Sequence, residues 1–233
     1  MKSNTLIHAF DDADVLAGEL ASAIARNLED AIDQKGYAVL LVSGGNTPKK
    51  LFAHLSTMPI RWDKIRIGLC DERWVDPSHT DSNERLLREH LIVNAAQTAQ
   101  LVGLYVGGKN ALEAEELCSQ RVKSLLWPID VCVLGMGEDA HTASLFPGNP
   151  RLAEAYGRNT DLPCIAISPA AAPHERMSLT PGALLSSHNL YLHFEGERKR
   201  SVYARALETG DPINMPICSV ICQTIKPVEV YYA

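Results

Sequence analysis

His141 is the residue of this chain whose neighbours best equip it to move a proton. It follows the apolar run Val131-Cys132-Val133-Leu134 and the turn Gly135-Met136-Gly137, with Glu138 and Asp139 immediately before it. A carboxylate beside an imidazole fixes one tautomer and raises the basicity of the other ring nitrogen, as a general base near neutral pH requires. Asp139 is the candidate for that orienting group. A lone histidine is more often structural than catalytic, and it is this setting that separates His141 from His8, His54, His79, His90, His174, His188 and His193, which sit in no motif. Ser144 lies three residues on but lacks the GxSxG elbow, so no serine nucleophile is expected. No HExxH-like spacing accompanies the histidine, and no metal is expected.

Four further positions can serve an anion. In Ser43-Gly44-Gly45-Asn46-Thr47-Pro48 the glycines let the backbone approach a ligand closely. The helix that starts at Pro48 offers free N–H groups, and Ser43 and Thr47 add hydroxyls. The same residues also make an ordinary turn, and the segment alone does not decide between the two. It is neither a P-loop nor the GxGxxG fingerprint. Asp71-Glu72-Arg73 reads first as a solvated charged turn. Its functional reading has Arg73 on a phosphate or sugar oxygen and Asp71 accepting from sugar hydroxyls. Arg176, in His174-Glu175-Arg176-Met177-Ser178, and Lys199, after Glu195-Gly196-Glu197-Arg198, each read alone as surface cations.

The elements that must position these groups follow from hydrophobic periodicity. Val15, Leu16, Leu20, Ile24 and Leu28 recur at helical spacing, capped by Asp11 or Asp12 and ended before Gly36. Tyr37 to Val42 is an unbroken apolar run, as in a strand covered on both faces. Pro48 opens a helix carrying Leu51, Phe52 and Leu55. A strand is expected from Ile65 to Cys70 and a helix from Asp81 or Ser82 to Leu91. A further helix spans Ala111 to Leu126 and a buried strand Val131 to Leu134. Later strands are expected at Cys164 to Ile167, Glu175 to Leu179, Leu190 to Phe194 and Val228 to Tyr232. A helix covers Lys199 to Leu207, and Pro147 to Pro163 reads as loop. Strands alternating with helices predict a three-layer α/β fold around a mostly parallel sheet, with residues 1–233 as one domain. In such folds ligands bind beyond the carboxyl ends of the strands, where three polar segments fall: 43–47, 71–74 and 135–142.

Composition narrows the function. The formal net charge is −6 and the densest basic run, Arg198-Lys199-Arg200, is flanked by Glu195 and Glu197, so nucleic acid is not an expected partner. A net negative chain must hold an anionic substrate with local cations and backbone N–H groups. The six cysteines form no CxxC pair and several lie in apolar runs, which fits a reducing, cytoplasmic setting better than a disulfide framework. The first nine residues carry no secretory h-region, and no apolar stretch is long enough for a membrane span. No heptad seam is evident, so a monomer is expected.

Taken together these segments resemble the family of 6-phosphogluconolactonases and glucosamine-6-phosphate deaminases. The matching stretches are Leu41 to Pro48, Trp62, Asp71 to Val75, Ser82-Asn83, Gly135 to Gly148, Arg176 to Thr180 and Gly196 to Lys199, in family order over nearly the whole chain. The resemblance implies a modified Rossmann-like fold. It also implies cofactor-free hydrolysis of a phosphorylated sugar lactone, 6-phospho-D-glucono-1,5-lactone, in the oxidative pentose phosphate pathway. It further implies that His141 is the base and that Arg73, Lys199 and Arg176 hold the anion. Three positions depart from the family pattern: Ala140 stands where Gly is usual, Asn46 replaces a Ser, and the C-terminus lacks an acidic residue. If position 140 needs positive φ, Ala costs roughly 1 kcal/mol or more there. Two alternatives stay open. A deaminase of the same family would carry a glutamate where this chain has Ser144-Leu145-Phe146-Pro147. A non-catalytic sugar-phosphate-binding module would leave His141 without a role.

Overall fold

Buried apolar strands separated by amphipathic helices can hide their surfaces in one way: strands side by side in the middle, helices on both faces. A computed structural model describes residues 4–158, 161–170 and 172–233. In chain order the elements are β1 (Thr5–Ala9), α1 (Ala13–Lys35), β2 (Ala38–Val42), α2 (Lys49–Ser56), β3 (Ile65–Leu69), β4 (Asp71–Arg73), α3 (Asn83–His90), β5 (Gln100–Val102) and α4 (Ala111–Leu126). There follow β6 (Val131–Leu134), α5 (Leu152–Gly157), β7 (Cys164–Ile167), β8 (Arg176–Leu179), α6 (Pro181–Leu185), β9 (Asn189–Phe194), α7 (Glu197–Thr209), α8 (Cys218–Ile221) and β10 (Val228–Tyr232).

Seven strands form one parallel sheet in the order β1-β10-β9-β6-β2-β3-β5. The three-layer α/β fold expected from the alternation is therefore the observed one. β2 and β6 are buried at every position, as strands covered on both faces must be. The chain runs from β2 outward through β3 to β5 on one side and from β6 through β9 to β10 on the other. The order thus reverses between β2 and β6, which opens a crevice beyond their carboxyl ends.

The local signals for helix ends hold. Asp12 caps α1 by accepting from the N–H groups of Asp14 (2.7 Å) and Val15 (2.9 Å), and Gly36 closes it at φ 84°. Asn110 and Glu113 form a reciprocal capping box at the start of α4.

Two expectations need correction, and two strands went unpredicted. The charged triplet Asp71-Glu72-Arg73 is a strand, not a solvated turn. It pairs antiparallel with β8, which pairs with β7, making a second, three-stranded sheet beside the carboxyl ends of the main one. Glu72 can be fully buried there because its carboxylate accepts from the N–H groups of Arg73 and Asn83 (2.7 Å each), from that of Glu84 (2.8 Å) and from the Ser82 hydroxyl (3.1 Å). It caps α3. The Pro147 to Pro163 stretch contains the short helix α5, although its residues 159 and 160 lie outside those described. β1 and β5 are edge strands without alternation, and Leu6 and Ile7 of β1 are exposed, so periodicity could not reveal them.

All six cysteines are free and five are buried. Among the described residues no helix is long and apolar enough to cross a membrane.

Candidate active site

The loop after β2 and the loop after β6 meet across the strand-order reversal. The Ser43 N–H donates to the Val133 carbonyl (3.0 Å), and the Gly135 N–H donates to the Ser43 hydroxyl (3.3 Å). Together with the end of β4 and the start of α7 they enclose a cavity of about 260 Å³. Ser43, Gly44, Gly45 and Thr47 form one wall, Asp71 and Arg73 another, and His141 and Lys199 complete it.

His141 owes its position to three residues of its own loop. Its Nδ1 lies 2.5 Å from Oδ1 of Asp139, and its backbone N–H donates to the same oxygen (3.1 Å). With Nδ1–H committed to the carboxylate, the lone pair left on the ring is that of Nε2. Burial alone would push the Asp139 carboxyl up. The His141 hydrogen bond and charge, joined by backbone N–H groups, hold it below the usual carboxylate range. Gly137 lies beneath the pair: a methyl group there would come within 2.2 Å of His141 Nδ1 and 2.5 Å of Asp139 Oδ1. The Phe146 ring packs against the imidazole at 4.9 Å. Ala140, fully buried, adopts φ 69°, so the left-handed conformation suspected from the family's glycine is present in this chain.

The Gly-rich wall has its own space requirement. A Cβ on Gly44 would fall 1.9 Å from Oδ1 of Asn83, whose Nδ2 donates to the Asp71 carbonyl (2.9 Å). Asn83, at the first position of α3, therefore presses into the loop and lines the cavity. The nearby Asp71 carboxylate accepts from the buried Ser144 hydroxyl (2.6 Å), which gives that serine a structural partner instead of a substrate-facing role.

Two cations reach the cavity from opposite halves of the chain. Lys199, in the first turn of α7, donates from Nζ to the Thr47 hydroxyl (3.1 Å) across 152 positions of sequence. Burial pulls its pKa below the usual lysine value, against the pull of Glu195 and Glu138. Arg73 is steadied by an Nη1 hydrogen bond to the Asp81 carbonyl (2.7 Å). Arg176 is not part of the wall. It sits opposite Arg73 in the β4–β8 register, buried, with Nη1 lacking a hydrogen-bond partner among the described residues. Burial and the adjacent Arg73 charge lower its pKa, while Asp71, Glu72 and Asp81 oppose that shift.

Asn46, Asn83 and His193 line the cavity without having been singled out as site residues. Asn83 stands in the Ser82-Asn83 pair and Asn46 in the Gly-rich loop, so position offered a signal for both. His193 offered none. It stands one residue before the end of β9, almost fully buried, with Nε2 3.3 Å from Oε1 of Glu195. The nearby imidazole, with the charges of Lys50 and Lys199, keeps Glu195 below the usual carboxylate range despite its burial.

What the arrangement can do is hold a phosphorylated or otherwise anionic molecule beside an oriented imidazole. Residues 11–228 match the family model described as glucosamine-6-phosphate isomerases/6-phosphogluconolactonase. The chain is 42% identical over 226 residues to a 6-phosphogluconolactonase of Mesorhizobium japonicum, covering 97% of this chain and 94% of that one. It is 39% identical over 227 residues to one of Rhizobium meliloti, covering 97% and 98%. The crystal structure of a 6-phosphogluconolactonase from Shewanella baltica superposes with a TM-score of 0.95 at 43% identity, covering 98% of this chain and 97% of that one.

Proposed function

The chain belongs to the glucosamine-6-phosphate isomerase/6-phosphogluconolactonase family, and from that premise we propose that it hydrolyses 6-phospho-D-glucono-1,5-lactone to 6-phospho-D-gluconate, the ring-opening step of the oxidative pentose phosphate pathway. The observation that carries the reading is the imidazole of His141, tied through Nδ1 to Asp139 and lining the same cavity as Arg73 and Lys199.

The chemistry follows from those groups. Nε2 of His141 takes a proton from water as the water oxygen attacks the lactone carbonyl carbon. Main-chain N–H groups of the Gly44-Gly45 turn, or Lys199, face the negative charge that develops on the carbonyl oxygen. The tetrahedral intermediate collapses, the bond from the carbonyl carbon to the ring oxygen breaks, and protonated His141 returns its proton to that oxygen. The new carboxylic acid loses its proton to solvent. A lactone is an activated ester, so these steps call on no covalent nucleophile and no cofactor. Arg73 and Lys199 grip the phosphate, with Arg176 behind Arg73 adding to the positive field. Asp71 accepts from a sugar hydroxyl through its remaining acceptor capacity, and Ser43 and Thr47 donate from the Gly-rich loop.

The family's deaminase chemistry has less support, because the segment after His141 offers Phe146 against the imidazole where a carboxylate would be needed. We place the enzyme in the cytoplasm, as a monomer whose 233 residues work as one domain. The test is freshly prepared lactone with 6-phosphogluconate formation followed by a coupled dehydrogenase, corrected for spontaneous hydrolysis. His141→Ala is expected to lower kcat by about 10²–10⁴-fold. Near-normal turnover by that variant would end the mechanism, and ammonia release from glucosamine-6-phosphate would end the choice of reaction.

A further inference from the structure

A second cluster of ligating side chains lies outside the cavity, on the far side of Arg73. His79 and Asp81 stand in the segment between β4 and α3, and His174 stands just before β8. Nε2 of His174 lies 3.0 Å from Oδ2 of Asp81, and Nδ1 of His79 lies 3.9 Å from the same oxygen. The two imidazoles meet edge to face with ring centroids 5.3 Å apart. One ligating atom from each of the three residues falls within 4.8 Å of the other two. Among the described residues this is the one group of three such side chains that converges in this way.

We propose that His79, Asp81 and His174 form a binding site for one divalent transition-metal ion of the zinc class, separate from the lactone cavity. Two imidazoles and a carboxylate are a borderline nitrogen and oxygen donor set, which suits Zn²⁺, Co²⁺ or Ni²⁺ over Mg²⁺ or Ca²⁺. Three protein ligands leave the fourth tetrahedral position to water. The side chains of His79 and Asp81 are 45% and 48% exposed, which gives the ion a path in, and they can rotate to close the spacing to what bond lengths of about 2.0–2.1 Å demand. In doing so His79 exchanges the weak hydrogen bond its Nδ1 accepts from the Asp81 N–H (3.1 Å) for a metal bond.

Two features mark the site as built. His174 holds φ 71°, a left-handed conformation that few non-glycine residues adopt, and it does so while delivering its ring to Asp81. The Asp81 backbone is anchored through its carbonyl by Arg73, so the carboxylate projects from a fixed point. The cost is electrostatic: Arg73 and Arg176 lie nearby, so a 2+ ion binds here less tightly than in a site ringed by carboxylates. The ion would bridge chain segments 93 positions apart, one leading from Arg73 and the other leading into Arg176.

The experiment is calorimetric titration of the full chain with Zn²⁺, and with Co²⁺ read by its visible absorption. One ion per chain is expected, with the intensity of a four-coordinate cobalt site. His174→Ala and His79→Ala should each weaken binding by more than the roughly 10–100-fold that losing a supporting hydrogen bond costs a metal site. The control is His54, a partly exposed imidazole paired with Asp14 at 3.1 Å and, among the described residues, lacking a third ligand. His54→Ala should leave the titration unchanged. Asp81→Asn, which keeps the backbone contact to Arg73, guards against misreading a folding defect, and thermal melts of all variants are compared without metal. No binding by the wild-type chain, or equal losses from His54→Ala and His174→Ala, would overturn the proposal. Because the readout is the metal itself, it stands or falls independently of lactone turnover.

Discussion

Gly137 offers the sharpest test of how the imidazole is held. Its backbone is not in the left-handed region, so alanine fits the main chain, and only space forbids it. The added methyl would stand 2.2 Å from Nδ1 and 2.3 Å from Cε1 of His141, and 2.5 Å from Oδ1 of Asp139. Ordinary contact begins near 3.4 Å, so ring and carboxylate must retreat by about 1 Å. Displacing a catalytic group by that distance costs about 100-fold in rate, or about 2.7 kcal/mol of barrier. The His141 and Asp139 side chains are 34% and 52% exposed and can swing toward solvent, so stability should change little. The expected signature of Gly137→Ala is therefore a kcat near 1% of wild type, an almost unchanged KM and a normal melting temperature, measured in the coupled lactone assay. Gly107→Ala, where an added methyl meets nothing within 4 Å, should be neutral. A Gly137→Ala enzyme with wild-type kcat would show that the Nδ1 tether to Asp139 does not set the reactive geometry.

Removing either cation should separate phosphate recognition from chemistry. Arg73→Ala and Lys199→Ala each forfeit a charge-assisted contact, worth roughly 10–100-fold in kcat/KM for the phosphorylated lactone but little for the unphosphorylated one; equal losses on both substrates would remove these residues from phosphate binding. At Ala140, glycine relieves roughly 1–2 kcal/mol of left-handed strain but gives up a buried methyl and loosens the unfolded chain. Ala140→Gly should thus alter unfolding free energy by less than about 1 kcal/mol, while Ala140→Val, β-branched at φ 69°, should lose about 3 kcal/mol; a silent valine in urea denaturation would refute the strain. Burial pushes Glu72 up to about 7 from an ordinary value of 4.5, against its three backbone N–H donors. The folded chain therefore binds the extra proton, and this contribution to stability is full below pH 4.5 and lost as pH rises through about 7. It amounts to about 3 kcal/mol. Glu72→Gln should flatten the fall in urea stability between pH 5 and pH 8; an unchanged slope would assign it to other groups.

Much of the candidate site's geometry could be read from the sequence because its contacts are local. Asp139 and His141 are two residues apart, and their hydrogen bond needs only the turn that Gly137 permits. The apolar runs of β2 and β6 announced a sheet covered on both faces, and the polar loops that follow them had to lie at its carboxyl edge. The conformation of Ala140 was foreshadowed by the residue type the family prefers at that position. Other features belong to the tertiary structure alone. Lys199 meets Thr47 across 152 positions, and no spacing rule encodes that contact. His193 carries no motif and enters the cavity because β9 lies next to β6. Arg73 and Arg176 look alike as surface cations. The antiparallel register of β4 and β8 makes them partners, and packing leaves one in the cavity wall and buries the other behind it. Hydrophobic pattern and turn chemistry act over a few residues and so fix the elements and their loops. Which loops share a cavity depends on strand order, set by the burial of whole faces, and that information is spread over the entire chain.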